Sequence, residues 1–379
     1  MGTEAKIPIL FLCDEIKQAT AGSEQHLSFL LKNLPRDRYE VHFALLRCDK
    51  GLPPGFSPIQ PKILNLHSFK NPFEVFRVLQ TLRQMVRQRT IKILQAFFRD
   101  SEFLSAMARL NSMGCRRVVA RRSLGYDDTF AFRWRNRLAT KFKATYAVNS
   151  DAIKRRMMSF EHIPPERIAV IYNPINQERL TQGIAVPLER ERWGLTDGDL
   201  VVGIVANIRP VKDYETFFKA ATLVAERVPN TKFLVVGSKD GDYWEKLRPI
   251  AQSPEIKNRL RLTGPLANPF PVIRLFDVGV LSSTSEGFSN SLVEYAAAGV
   301  PTVATDVGGN REIVEDDKTG YLMPPRSPQL LASKIIDLLL DADKRKEFGR
   351  KAREAAYNKF SQESILSQYE EYYKEKVIS

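Results

Sequence analysis

The chain of 379 residues has little with which to build disulfide or metal chemistry. Its three cysteines, Cys13, Cys48 and Cys115, are odd in number, far apart and without C-x-x-C spacing. That argues against a disulfide framework and against a zinc site, and fits a reducing cytoplasm. The four histidines, His26, His42, His67 and His162, show no ligand spacing either. No run of about 18 apolar residues is present, so no membrane-spanning helix is expected. Met1 to Lys6 lacks the charged, apolar, small-residue order of a secretory leader, and Lys6 stands where myristoylation needs Ser or Thr. Three motifs are missing: G-x-G-x-x-G, G-x-S-x-G and G-x-x-x-x-G-K-[ST]. The sequence therefore offers no support for a nicotinamide enzyme, a serine hydrolase of the elbow type or a P-loop nucleotidase.

What is present is an ordinary globular composition, 43% hydrophobic and 27% charged, with a basic excess of +13. The length suits two compact domains, each able to bury a full core. The charge is unevenly placed: from Lys70 to Lys143 there are 17 Lys and Arg against 5 Asp and Glu. Such a region attracts phosphates, whether of nucleic acid, anionic lipid or a diphosphate-bearing substrate; its plain alternative is a solvated basic surface.

Apolar runs and turns alternate along the chain. Ile7–Leu12 reads as a strand buried on both faces, followed by a small-residue turn at Thr20–Ser23, a helix through Leu27, Leu30 and Leu31, and a strand from Tyr39. This is the opening of a doubly wound parallel sheet. Apolar spacing at Phe73, Phe76, Val78, Leu79, Leu82 and Val86 predicts a helix over 71–89. The chain breaks at Asn173-Pro174 and the pattern restarts with strands at 200–205, 232–236, 260–263, 278–281 and 301–304. The fold class expected is α/β, two Rossmann-like doubly wound domains facing a cleft. The division is residues 1–172, then 173–362, with a helix over 363–379 returning to the N-terminal domain. Asp197-Gly198-Asp199 and Asp240-Gly241-Asp242 superficially match a metal-binding Asp-x-Asp, but Asp-Gly is a common turn signal. No metal site is assigned.

The densest signal runs from Ser282 to Pro301, after a strand and into a helix. Gly287 lets backbone approach a ligand, and the helix N-terminus presents N–H groups to an anion. Glu286 lies in the loop and Glu294 on the first turns of the helix, where carboxylates suit sugar hydroxyls as acceptors. Ser291-x-x-Glu294 also reads as a capping box, which would make Glu294 structural.

The Glu286-x7-Glu294 spacing resembles the paired-glutamate signature of glycosyltransferase family 4, retaining enzymes of the GT-B fold. Val307-Gly308-Gly309 through Pro325 resembles the loop, helix and turn that follow in that family, and Val202–Asp213 its phosphate-binding strand and loop. Val235–Gly237 and Leu262–Gly264 are similar to the next strand ends, Ile171–Ile175 to the hinge and Gly22–Glu24 to the N-terminal glycine loop. The likeness is strong over about 200–325 and diffuse before 170. It implies that Glu286 contacts the donor sugar, that N–H groups at Gly287 and Phe288 with Ser289 and Asn290 face the donor diphosphate, and that Glu294 accepts from the ribose. It also implies that Lys212 neutralises the departing diphosphate. Gly22, Asn173, Asn207, Gly237, Gly264 and Leu292 complete the donor-binding set on the same ground.

Two departures stand out. Asn207 occupies a place where the family has Arg, and Arg209 is the substitute expected to reach the phosphate. The family's N-terminal His is replaced within Ala120–Tyr126, where Arg122 is expected to bind the acceptor or leaving phosphate, and Arg121 and Arg122 otherwise read as basic surface.

The resemblance implies a nucleotide-sugar donor, UDP- or GDP-linked, as co-substrate and no cofactor. The acceptor is expected to be a saccharide, lipid-linked or a cell-surface polysaccharide precursor, held by the N-terminal domain. Phe132–Lys143 mixes Trp134 and Phe142 with cations, as does Phe97-Phe98-Arg99, so a peripheral enzyme at the inner face of an anionic membrane is expected. The rival readings are a nucleotide-sugar epimerase of the same architecture, a basic nucleic-acid-binding protein and an inactive scaffold.

Overall fold

A computed structural model describes residues 5–16, 22–49, 51–124, 144–239 and 241–378, with the side chains of 376–378 left undescribed. The basic-aromatic stretch 132–143, the expected turn at 20–21 and Asp240 lie outside the described residues. The chain divides into two compact units, Met1–Asn173 with Ile365–Ser379, and Pro174–Ser364.

The first unit runs β1 (Ile7–Cys13), α1 (Gly22–Asn33), β2 (Tyr39–Leu45), β3 (Lys62–Ile63), α2 (Pro72–Gln88), β4 (Ile93–Phe97), α3 (Arg99–Met107), β5 (Arg116–Arg121), β6 (Ala144–Val148), α4 (Asp151–Glu161) and β7 (Ile168–Val170). Its strands form one parallel sheet ordered β3-β2-β1-β4-β5-β6-β7. Ile9 to Cys13 are all fully buried, as a strand covered by helices on both faces requires. Asn71 starts α2 by accepting the N–H groups of Phe73 and Glu74, with Pro72 at the first helical position where no N–H is needed. Val78, Leu82 and Val86 are the buried stripe of this helix; Phe73 and Phe76, expected on it, are instead 84% and 61% exposed. At about 100° per residue they project from roughly the opposite side of the helix to Val78, Leu82 and Val86, so apolar identity alone does not fix the buried stripe.

The second unit begins with α5 (Gln177–Ala185) and continues β8 (Leu200–Val205), α6 (Tyr214–Arg227), β9 (Thr231–Val236), α7 (Asp242–Ala251), β10 (Leu260–Gly264), α8 (Phe270–Ile273), β11 (Val278–Leu281), α9 (Asn290–Ala298), β12 (Thr302–Thr305), β13 (Gly320–Met323), α10 (Pro328–Leu340) and α11 (Ala342–Phe360). The sheet is again parallel, ordered β10-β9-β8-β11-β12-β13. Tyr214, Phe217, Phe218 and Phe233 fill its core between α6 and the sheet. A final helix, α12 (Gln362–Ile378), carries Tyr369, Tyr372 and Tyr373 into the core of the first unit. In each sheet the strand order reverses once, between β1 and β4 and between β8 and β11. Ligands in open α/β sheets bind at the carboxyl ends of strands beside such a reversal.

Candidate functional site

In the second unit the loops after β8 and β11 meet because those strands are neighbours. Pro210–Lys212 form a tight turn after β8, and Asp213 follows in a left-handed conformation (φ 47°) while capping α6 through Thr216. Non-glycine residues rarely adopt that conformation, so the turn is held by its surroundings. Ser282 Oγ donates to the Lys212 carbonyl at 2.9 Å, and the Thr284 N–H to the Val211 carbonyl at 2.8 Å. The two loops are thereby stitched together.

Their side chains converge. Lys212 Nζ lies 2.5 Å from Glu286 Oε1, and Ser283 Oγ donates to the same oxygen at 2.6 Å. Lys212 is 23% and Glu286 11% exposed, so the pair keeps opposite charges fixed at a half-buried place. The position of Glu286 is imposed from behind. A β-carbon on Gly308 would sit 1.6 Å from the Glu286 carbonyl oxygen, and Gly308 has φ +54°, so only glycine fits there.

On α9, Ser289 is the N-cap and accepts the Leu292 N–H. The capping box that is the alternative reading of Ser291 and Glu294 is not formed, since the N-cap is Ser289. Ser291 Oγ instead donates to the Val205 carbonyl at the end of β8, at 2.7 Å. Glu294 is therefore left without a capping role. Its side chain is 18% exposed, 3.9 Å from the Arg179 guanidinium of α5. Burial pushes its carboxyl up to about 7, against the opposing pull of Arg179. A desolvated carboxylate with one distant cation is the electrostatic signature of a binding or catalytic group rather than of a stabilising one.

The other residues expected in the donor set fall into two kinds. Gly237 is backbone architecture: a β-carbon there would lie 2.2 Å from the Ala206 carbonyl oxygen. Gly264, with φ +75°, accepts the Gly237 N–H through its carbonyl. Asn207 Oδ1 accepts the Ser238 N–H at 3.0 Å and so ties the ends of β8 and β9. Arg209, by contrast, is exposed on an extended residue at the head of the Lys212 turn, and its guanidinium has no partner among the described residues. Phe288 is buried against Phe360, edge to face at 5.7 Å, so its side chain is core and only its backbone borders the loop. Leu292 is 1% exposed and its N–H is held by Ser289; neither its side chain nor its N–H reaches the loop. Arg179 was not foreseen. It stands 115 positions before Glu294, on a helix with no motif of its own, and only folding brings them together.

The first unit holds Gly22, Arg122 and Asn173. Gly22 opens α1. Of the two readings of Arg121 and Arg122, the one as solvated basic surface does not hold, because both guanidiniums are engaged by partners within the unit. Arg121 is clasped by Glu102 and Glu161 at 2.8 and 2.7 Å. Arg122 donates to the Ile171 carbonyl, to Asn173 Oδ1 at 2.9 Å, to His26 Nε2 and to the hydroxyl of Tyr369. His26 is held far below its usual range by burial and by Arg122, so it is neutral and accepts. Arg122 thus has four neutral partners, and its Nε has none among the described residues.

Two family models match successive parts of the chain: one described as Glycosyltransferase Family 4 over residues 20–179, and one described as Glycosyl transferases group 1 over residues 186–355. The chain is 25% identical over 354 residues to the N-acetyl-alpha-D-glucosaminyl L-malate synthase of Bacillus anthracis, covering 90% of this chain and 91% of that one. To the poly(ribitol-phosphate) alpha-N-acetylglucosaminyltransferase of Staphylococcus aureus it is 29% identical over 170 residues, 45% of this chain and 34% of that one. Among solved structures, a glycosyltransferase from Rickettsia africae superposes with TM-score 0.84 at 18% identity, covering 98% of this chain and 99% of that one. Anabaena HepE in complex with UDP superposes with TM-score 0.82 at 22% identity, covering 97% and 100%. The two parallel sheets with flanking helices are the GT-B fold of those structures.

Proposed function

The chain belongs to glycosyltransferase family 4, and from that premise we propose that it moves a hexose from a UDP-sugar to a saccharide acceptor with retention of configuration, without a metal ion. The observation that carries the reading is the Lys212–Glu286–Ser283 cluster at the adjoining ends of β8 and β11, with the desolvated Glu294 on the helix that follows. Glu294 accepts hydrogen bonds from the ribose, Glu286 from the donor sugar, and the backbone at Gly287 and Phe288 faces the diphosphate. As the bond between the anomeric carbon and the diphosphate oxygen breaks, negative charge grows on the leaving phosphate. Lys212 and the exposed Arg209 are the fixed cations that stabilise it. Asn207, occupied with Ser238, takes no part in that role.

The choice of UDP is supported by HepE, whose structures contain UDP and UDP-glucose. Retention is supported by relatives named for alpha-linked N-acetylglucosaminyl transfer. The acceptor is a lipid-linked saccharide at the surface of an anionic membrane, and Arg122 with Asn173 belongs to the acceptor-holding unit. No described helix is long and apolar enough to cross a membrane. We read the contact with lipid as peripheral, on the cations and aromatics that the sequence places at 132–143.

Calorimetric titration with UDP, GDP and ADP tests the reading. UDP is expected to bind the native chain, and Glu294→Ala and Lys212→Ala each to weaken it. Absence of binding by all three nucleotides overturns the proposal. Product analysis then separates transfer, which gives a new glycoside, from epimerisation, which alters the free nucleotide sugar.

A further inference from the structure

The two phenylalanines of α2 that the helical pattern assigned to the core are the most exposed large apolar side chains of the first unit's opening half: Phe73 at 84% and Phe76 at 61%. A single exposed apolar residue is normal on a soluble protein. A pair on adjoining turns of one helix face is a different matter. At about 100° per residue, Phe73, Phe76, Arg77 and Arg87 share the face roughly opposite Val78, Leu82 and Val86. Arg77 and Arg87 are exposed on that face, and Lys70 is exposed just before the helix.

The charge around this face is one-sided. Residues 62–124 contain 13 Lys and Arg, of which Arg117, Arg121 and Arg122 are engaged in the interior and do not count toward this face, but only three acids, Glu74, Asp100 and Glu102. All three are already engaged. Glu74 accepts the His67 and Ser68 N–H groups and the Asn71 amide, Asp100 pairs with Arg47, and Glu102 with Arg121. Glu74 is the one acid on α2, and it is turned back onto the preceding loop. The face therefore offers aromatic rings framed by cations, with no carboxylate of its own to repel an anion.

We infer that this face of α2 is a membrane-docking surface: Phe73 and Phe76 enter the interfacial layer of an anionic bilayer while Lys70, Arg77 and Arg87 meet its headgroups. Rings on one side of a helix with cations beside them are the arrangement that binds at the headgroup boundary. Each cation near such a surface strengthens binding by about fivefold. This rests on and deepens the reading of a membrane-borne acceptor, and it is separable from the donor reading because Lys212, Glu286 and Glu294 lie in the second unit. Nothing in the α2 face is needed for the fold: the buried side of the helix and its Asn71 cap remain when the two rings are removed.

Co-sedimentation of the full chain with vesicles of phosphatidylcholine, with and without one-third phosphatidylglycerol, tests it, with UDP titration of every variant alongside. The native chain is expected to bind the anionic vesicles. Phe73→Ser with Phe76→Ser is expected to weaken that binding by tenfold or more, and Lys70→Glu with Arg87→Glu by a similar factor; both keep native UDP affinity. No binding of the native chain, or undiminished binding by the phenylalanine variant, overturns the inference while leaving the donor reading intact. So does a native dimer by light scattering that the phenylalanine variant abolishes without any vesicle binding, since a second copy would then be the occupant. Loss of UDP affinity in the native chain itself would instead strike the donor reading.

Discussion

In the first unit, the strands flanking the reversal of the sheet end against an acid. Asp14, just after β1, accepts the N–H groups of Asp100 and Ser101 at the start of α3, at 3.1 and 2.7 Å, and the Ser101 hydroxyl as well. Arg47 closes over Asp100 at 2.5 Å. In the second unit, the equivalent strands end against a cation. Lys212 holds the loop before Glu286, and the first turn of α9 is capped by the neutral hydroxyl of Ser289. The same topology is thus completed in two ways. A helix N-terminus favours an anion. Where the chain supplies that anion itself, as with Asp14, the place is satisfied internally. Where it supplies a serine and nearby lysine and arginine, the charge balance favours an anion from outside.

The comparison can be broken from either side. The largest effect is expected at Lys212: replacement by Ala should lower the transfer rate on the order of 10²–10³-fold, measured in single-turnover assays, because a fixed cation at the leaving group is lost. Gly308→Ala should cost about 10²-fold in rate, since the added β-carbon displaces the Glu286 backbone and misaligns its carboxylate. A Gly308 variant with native rate would detach Glu286 from catalysis.

Glu294→Gln should weaken UDP by about tenfold to a hundredfold, the range for hydrogen bonds to a charged group. The sign of its pH dependence follows from burial. The folded carboxyl titrates near 7, above its ordinary 4.5. Its protonated form therefore contributes stability that is full below about 4.5 and lost as pH rises through 7. Ribose hydroxyls donate to the ionised form, so UDP affinity should rise with pH up to about 7 and then level, with proton release seen by calorimetry in two buffers. At pH 8 the Gln variant, relieved of a buried charge, should unfold at higher urea than the native chain. Lower stability of that variant would return Glu294 to a structural role.

The smallest effect is expected in the first unit. Asp14→Ala should cost about 1–2 kcal/mol of stability in urea unfolding, as loss of a helix cap does, and leave UDP affinity within about twofold of native. A large loss of UDP binding there would erase the contrast between the units.

Sequence alone made much of the second unit legible. The apolar runs gave its strands, and the restart after Pro174 gave its beginning. Glu286, Glu294 and Lys212 are singled out because the Glu286-x7-Glu294 spacing and the Val202–Asp213 loop resemble the family's signature, and the structure brings Lys212 and Glu286 together at adjoining strand ends. The residues that surround them were not. Arg179 and the close approach of Gly308 arise from contacts between segments 115 and 22 positions apart, for which a local pattern carries no signal, and Ser283, three residues before Glu286, has no feature in the sequence that marks it as a partner. Phe288 and Leu292 carried the motif's letters, yet their side chains are core.

In the first unit the balance shifts further. Its strands were readable because residues buried on both faces must be continuously apolar. Its charges were not, since a basic residue looks the same in a sequence whether it is solvated, as Lys70 is, or buried among neutral groups, as Arg122 is. Phe73 and Phe76 mark the same boundary for apolar residues. Composition and periodicity determined that a helix runs over 72–88 and which of its residues could be core. Only the packing of that helix on the sheet decided which were, because helix phase is set by what lies beneath it.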